Sequence, residues 1–201
     1  MSPPPRRWSR RSDSAGASAP VLLERMMTDL DLYKITLSLF DKEITQADLD
    51  SDTPSREIRL CRLYKDLAQV RAMREFDWSF LVVKLQMDYE NDEPGRGFQH
   101  GYILPQGLMK VVRTYTKYKY EVAEGRLYTD VAEADVYGIM TDLPEAHVPE
   151  DFYELIAYAL AYQIAPMLAP EGRMEKVILQ KYTWALSGLM VAECYNNSLE
   201  E

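Results

Sequence analysis

Four side chains have the chemistry for nucleophilic or acid–base catalysis: Cys61, Cys194, His100 and His147. A thiolate needs an imidazole beside it to act, and such partners meet in space rather than in sequence. Spacing therefore leaves a Cys61/His100 or a Cys194/His147 pair open. No CxxC or Cys/His pattern of a metal site occurs, so no metal ligand is assigned. The stretch "GRGFQHG", residues 95–101, lacks the lysine and the following Ser/Thr of a phosphate loop. "DLDSDT", residues 48–53, has three acids without the glycine and terminal glutamate of a calcium loop, and reads as a solvated connection or helix cap. The run Tyr115, Lys117, Tyr118, Lys119, Tyr120 has rings that can stack on nucleic-acid bases. Its period of two is also that of an antiparallel strand with lysines turned to water. These residues assemble no motif for a reaction: catalytic residues, cofactor and metal are all read as none, which favours a structural role.

Charge narrows the partners. The 201-residue chain has a net charge of −9 and a pI of about 4.9. The first residues run against this, with Arg6, Arg7, Arg10, Arg11 and Arg25 facing only Asp13 and Glu24. The rest is more acidic than the total. A sequence-reading nucleic-acid binder needs a basic face. An acidic body can still surround DNA without gripping it. Mean hydropathy is −0.33, and 27% of residues are charged, an ordinary globular balance that argues against a membrane protein. The leading arginines are not followed by an apolar run with a small-residue cleavage site, so no secretory signal is expected. The cysteines read as small apolar residues of a reducing compartment.

The elements that must position these groups follow from periodicity. Residues 1–20, "MSPPPRRWSRRSDSAGASAP", bury too little apolar surface to offset ordering and are expected to be a disordered basic tail. Residues 21–201 read as one domain. Leu30, Tyr33, Leu37 and Phe40 fall at helical steps after a Thr28 cap. "ITQADLDSDT" reads as a polar connection. A long helix from Pro54 to Glu75 sets Ile58, Cys61, Tyr64 (or Leu63), Leu67, Val70 and Met73 inward and Arg56, Arg59 and Arg62 outward. "WSFLVVKLQM" reads as a strand. The stretch 102–145 reads as β-rich, with Val111–Val112, the Tyr115–Tyr120 alternation, strands at 126–130 and 136–141 and a turn at "AEGR", together forming a small antiparallel sheet. Helices resume at Pro149, and a final helix holds Met174, Val177, Ile178, Tyr182, Ala185, Leu189 and Ala192 at helical steps. The expected fold is α+β: a four-helix bundle (helices about 28–75 and 149–196) with a small antiparallel β-domain (about 76–143) inserted between helices two and three.

"FYELIAYALAYQIAPML", residues 152–168, carries one charge, Glu154. It is shorter than the about 20 apolar residues a bilayer span needs, and it contains Pro166. Ala157, Ala161 and Ala165 make a small-residue stripe that lets another helix approach closely. Tyr153, Tyr158 and Tyr162 place amphipathic rings on the remaining faces. The helix is either the centre of a monomer's core or a surface shared with a neighbouring subunit.

The order of these elements resembles a known family. "CRLYKDLAQVRAMREFDWSF", "YILPQGLMKV", "GRLYTD" and "VPEDFYELIAYALAYQIAPML" are similar, in sequence and order, to segments of the tail tubular protein A family of short-tailed phages. They also resemble related head-to-tail adaptors of other tailed phages and gene transfer agents. The resemblance covers residues Leu30 to Asn196. Gln106 stands where many members carry an acidic residue, and the arginine-rich start lies outside the pattern.

The resemblance implies a structural virion protein with no catalytic residue and no cofactor. Its ring, of dodecamer size, sits beneath the portal protein at the portal–tail junction. The ring presents a platform to a tail or nozzle protein, and DNA passes through without specific binding; assembly takes place in the host cytoplasm. Related adaptors dock to the portal through their C-terminal segments, which implies Met190, Glu193, Tyr195, Asn196, Asn197 and Leu199 for that contact. Subunit packing is expected to involve Arg56, Arg59, Arg62, Tyr153, Ala157, Tyr158, Ala161 and Tyr162. The loop 89–100 and the turn 124–126 nominate Tyr89, Arg96, Phe98, His100 and Arg126 for tail-side contact. Two other classes stay open: a small intracellular enzyme with a Cys/His site, and a nucleic-acid-binding module using the arginine tail and the Tyr/Lys run.

Overall fold

The computed structural model describes residues 27–85, 87, 92–114, 118–132, 134, 136–143 and 148–197. The tail reading over 1–20 lies outside them.

Thr28 opens α1 (Asp29–Ser38) with a capping box: its hydroxyl accepts from the Asp31 N–H, and the Asp31 carboxylate accepts from the Thr28 N–H. The connection after α1 repeats the device. Thr45 and Asp48 satisfy each other's backbone and create α2 (Gln46–Leu49), so the stretch read as a polar connection contains a helical turn. The Thr45 hydroxyl, then its N–H, hold the Asp48 carboxyl below the usual carboxylate range. Ser55 caps α3 (Arg56–Arg74). Its inward face is Ile58, Cys61, Ala68, Ala72 and Met73. Leu67, expected inside, is exposed, as is Leu63.

Among the described residues, three helices precede six strands, and α4 (Glu150–Leu168) and α5 (Arg173–Asn197) follow them. α4 is the hub, with α1, α3 and α5 all packing on it. This is why its sequence is apolar nearly all round: Phe152, Leu155, Ile156, Ala157, Ala159, Leu160, Ala161, Ile164 and Ala165 are all buried.

The strands form two three-stranded antiparallel sheets. One has the order β1 (Val82–Leu85), β6 (Val136–Met140), β3 (Leu108–Thr114). The other has the order β2 (His100–Ile103), β5 (Arg126–Thr129), β4 (Tyr120–Ala123). The expected four-helix bundle with one small inserted sheet is thereby corrected to five helices and two sheets among the described residues. The reason is pairing over distance. The chain passes from the first sheet to the second and back twice, and turn spacing does not encode which strands meet. Among the described strands, only β4 and β5 are joined by a two-residue turn, Glu124–Gly125, with both φ angles positive (54° and 74°), the hairpin type whose twist suits adjacent strands. The strand read from "WSFLVV" begins late: Ser79–Leu81 is a 3-10 turn, and β1 starts at Val82. Residues 115–117 of the Tyr/Lys run lie outside the described residues.

Trp78 joins the helices to the first sheet. It is fully buried, its indole N–H donates to the Ala72 carbonyl at 3.0 Å, and its ring lies 5.2–5.9 Å from those of Phe76, Phe80 and Phe152. A second core of Leu85, Met87, Tyr102, Leu127, Ala134 and Val136 lies between the two sheets' strands.

Candidate interaction surfaces

The residues nominated for tail-side contact converge on the second sheet. The segment 92–99 folds over β2 and is held there by charge. Asp92 takes the Gly101 N–H on one oxygen (2.8 Å) and His100 Nδ1 on the other (2.5 Å). The His100 hydrogen bond, with help from the Gly101 amide, holds the Asp92 carboxyl below its usual range. His100 stacks on Tyr102, with centroids 5.7 Å apart. Arg126 donates to the Gly101 carbonyl at 2.8 Å and pairs with Glu93 at 3.0 Å. Arg96, at φ 54°, reaches over to the β4–β5 hairpin and bonds Glu121 (2.7 Å) and Glu124 (2.8 Å), its guanidinium 6.0 Å from the Tyr128 ring. Phe98 lies beneath the Lys119 ammonium at 5.6 Å. A Cβ on Gly101 falls 2.1 Å from the Glu93 carbonyl oxygen, so only glycine permits this approach. Arg96, Phe98, His100 and Arg126 thus form one built surface. Tyr89 lies outside the described residues.

The subunit-packing set divides. Ala157 and Ala161 are fully buried within the chain's own helices, and the Ala157 carbonyl accepts from the Thr36 hydroxyl. Arg56 donates to the Met167 carbonyl (3.1 Å) and Arg62 to the Leu49 carbonyl (2.6 Å), so both cations serve helix ends of their own chain. Tyr162 lies under Arg71, 5.1 Å from its centroid. The Tyr158 hydroxyl donates to Glu154, and burial followed by this carboxylate pushes its pKa up to about 12. Burial likewise raises that of the half-buried Tyr153. Arg59 is exposed, beside the exposed pair Leu63 and Leu67.

The portal-docking set divides in the same way. Glu193 is buried, and its carboxylate accepts the Ser79 N–H, tying the end of α5 to the 3-10 turn. Met190 is half-buried against the main core. Tyr195 is 66% exposed. Asn196 and Asn197 close α5, and Leu199 lies outside the described residues.

Periodicity missed two features. One is the contact of Tyr182 with the end of α3: its hydroxyl donates to Glu75 at 2.7 Å and its ring lies 5.3 Å from Arg71. The other is the outward face of α5, where Val177, Trp184, Val191 and Tyr195 are exposed. Their seven- and four-residue steps were legible, but Val177 was read as inward.

The thiols were placed on separate elements. Cys61 is fully buried on α3, where desolvation, and then Glu57, push its pKa up from 9.0 to about 12. A thiol held protonated in this way is a poor nucleophile. Cys194 is exposed on α5, and His147 lies outside the described residues. Among the described residues, no group of three or more His, Cys, Asp or Glu is arranged to hold a metal ion, and no helix is long and apolar enough to cross a membrane.

Comparison of the chain with models of known protein families and with curated proteins gave no match.

Proposed function

We propose that this chain is a structural head-to-tail adaptor of a tailed phage, one subunit of a ring beneath the portal protein. The observation that carries the reading is the placement of large apolar side chains on separate surfaces of an acidic protein. Leu63 and Leu67 are exposed on α3, and Val191 and Tyr195 on the last turns of α5. A closed ring requires two different complementary faces on each subunit, and a subunit that also docks above and below needs more. Exposed apolar clusters of this kind mark interaction surfaces. The resemblance of residues Leu30 to Asn196 to the tail tubular protein A family supports the same reading.

In this reading Arg59, Leu63 and Leu67 contribute to the lateral contact. Tyr195 and the end of α5 meet the portal. The surface built from Arg96, Phe98, His100 and Arg126 faces a tail or nozzle protein. The net charge of −9 keeps DNA from adhering to the channel wall.

Mass photometry of the chain mixed with the portal protein of its own phage tests this. The expected result is a stoichiometric complex with one adaptor per portal subunit. Portal and chain that remain separate at micromolar concentration contradict it.

A further inference from the structure

β4 is an edge strand with an open side. Among the described residues it pairs with β5 and with no other strand. The two-residue turn at Glu124–Gly125 makes Ala123 and Arg126 the hydrogen-bonded pair that closes the hairpin. Bonding alternates along an antiparallel ladder, so Glu121 also turns its N–H and C=O towards β5. The Lys119 carbonyl points the same way, accepting from the Thr129 hydroxyl at 3.2 Å. The N–H and C=O of Tyr120 and Val122 therefore point out from the sheet's edge, away from β5. Their side chains lie opposite Thr129 and Leu127, which are fully buried, yet Tyr120 is 37% and Val122 46% exposed.

Two other edges are closed. The outer groups of β2 are taken by the segment before it: the Gly101 N–H donates to Asp92 (2.8 Å), and the Gly101 carbonyl accepts from the Glu93 N–H (3.1 Å). β3 is interrupted by register shifts at Leu108/Lys110 and Val111/Arg113, which make it a poor template for another strand. Among the described residues, β4 has neither device. A row of unpaired backbone groups specifies the kind of occupant it takes, another extended strand.

We propose that the occupant is β4 of a second copy of this chain, antiparallel about a two-fold axis through Glu121, so that two three-stranded sheets become one of six strands. This register bonds the outward groups of each Tyr120 to those of the other copy's Val122, four backbone bonds in all. On one face each Tyr120 ring lies opposite the other copy's Val122, a favoured aromatic–β-branched pair made twice. On the other face each Lys119 lies opposite the other copy's Ala123 and diagonal to its Glu121, a charge pair also made twice. The two Glu121 carboxylates meet at the axis. Each is already bonded to its own Arg96 (2.7 Å), which holds Glu124 as well (2.8 Å). Moving the axis to Val122 sets Tyr120 against Glu124 and loses both kinds of pair. The strand's own sequence is thus complementary to itself in a single register.

This pairing does not rest on the adaptor reading, because it needs the chain alone and is tested without any phage component.

Sedimentation of the full-length chain from micromolar to millimolar concentration, with amide exchange on the same samples, is the test. The expected result is a reversible shift towards twice the 23.2 kDa of one chain. The amides of Tyr120 and Val122 are expected to gain protection with concentration, whereas β5 protects those of Glu121 and Ala123 throughout. Val122→Pro removes one outward donor per copy and no bond to β5, at the kind of edge position that accepts proline. It is expected to weaken the dimer by about 30-fold. Continued protection of Glu121 and Ala123 in that variant separates lost pairing from a lost hairpin. Arg96→Ala is expected to weaken the dimer about threefold by leaving the two glutamates uncompensated, and Glu121→Gln on that background to restore it. A chain that stays monomeric throughout overturns the proposal and leaves the edge to a strand of another protein. So does a dimer whose Tyr120 and Val122 amides exchange as freely as in the monomer, or one indifferent to Val122→Pro.

Discussion

Ala161 sits where α4 meets Ile178 of α5 and Leu39 and Phe40 beyond α1, with no exposed surface. Ala161→Leu adds three carbons to a filled space and is expected to cost about 1–3 kcal/mol. Thermal unfolding should show a melting temperature lower by several degrees; an unchanged value contradicts the close approach of these helices. Asp92 gives a pH prediction with a definite sign. Its carboxyl is held below its usual range by His100 and the Gly101 amide, so its native pKa lies below its unfolded one. Its contribution is present above the unfolded pKa of about 4 and is lost as pH falls through the native value. Hydrogen exchange at the Gly101 amide should therefore become less protected below about pH 4, and Asp92→Asn should flatten that dependence. Full protection retained at pH 3 in the unsubstituted chain contradicts the pairing. The residue scale is also where the sequence said least about contacts within the chain. Arg56, Arg62 and Glu193 have the look of surface contacts, but each is spent on a backbone group of its own chain: the carbonyls of Met167 and Leu49, and the N–H of Ser79. No local pattern announces such partners, which lie 13 residues away for Arg62 and more than a hundred for Arg56 and Glu193.

Helices announced themselves in the sequence and sheets did not. Thr28, Pro149 and the alanine-rich run after it mark α1 and α4 within a residue or two of their observed bounds. α2 was hidden inside a polar stretch because four residues carry no periodicity, although Thr45 and Asp48 hold the capping signature. The hairpin turn at Glu124–Gly125 was legible from its glycine; the division of six strands between two sheets was not, because β1 and β6 pair across some fifty intervening residues. The surface built from Arg96, Phe98, His100 and Arg126 was partly legible for the same reason. Its residues lie in one loop and one turn, yet the bond of Arg96 to Glu121 and Glu124 exists only because β4 folds back beside it. Arg96→Ala should release segment 92–99 from the hairpin. Such exposed pairs add little to global stability because water screens them, so the melting temperature should barely move while amide exchange in that segment accelerates. Unchanged exchange there shows that the clamp is not what holds the loop.

At the scale of the whole molecule, α4 answers most of its own puzzle. A charge-poor helix is accounted for by three helices of the same chain around it, and the surplus apolar surface lies elsewhere, on α3 and α5. That surplus, on a body of net charge −9, is the observation on which the proposed ring-subunit reading rests. For the adaptor reading proposed above, the most direct measurement is electron microscopy of the tailed-phage particle that would carry this chain, with the chain marked by an antibody fragment. The account predicts label in a ring at the single vertex where tail meets capsid, below the portal. Label on the capsid faces, at the distal tail, or nowhere on the particle contradicts it.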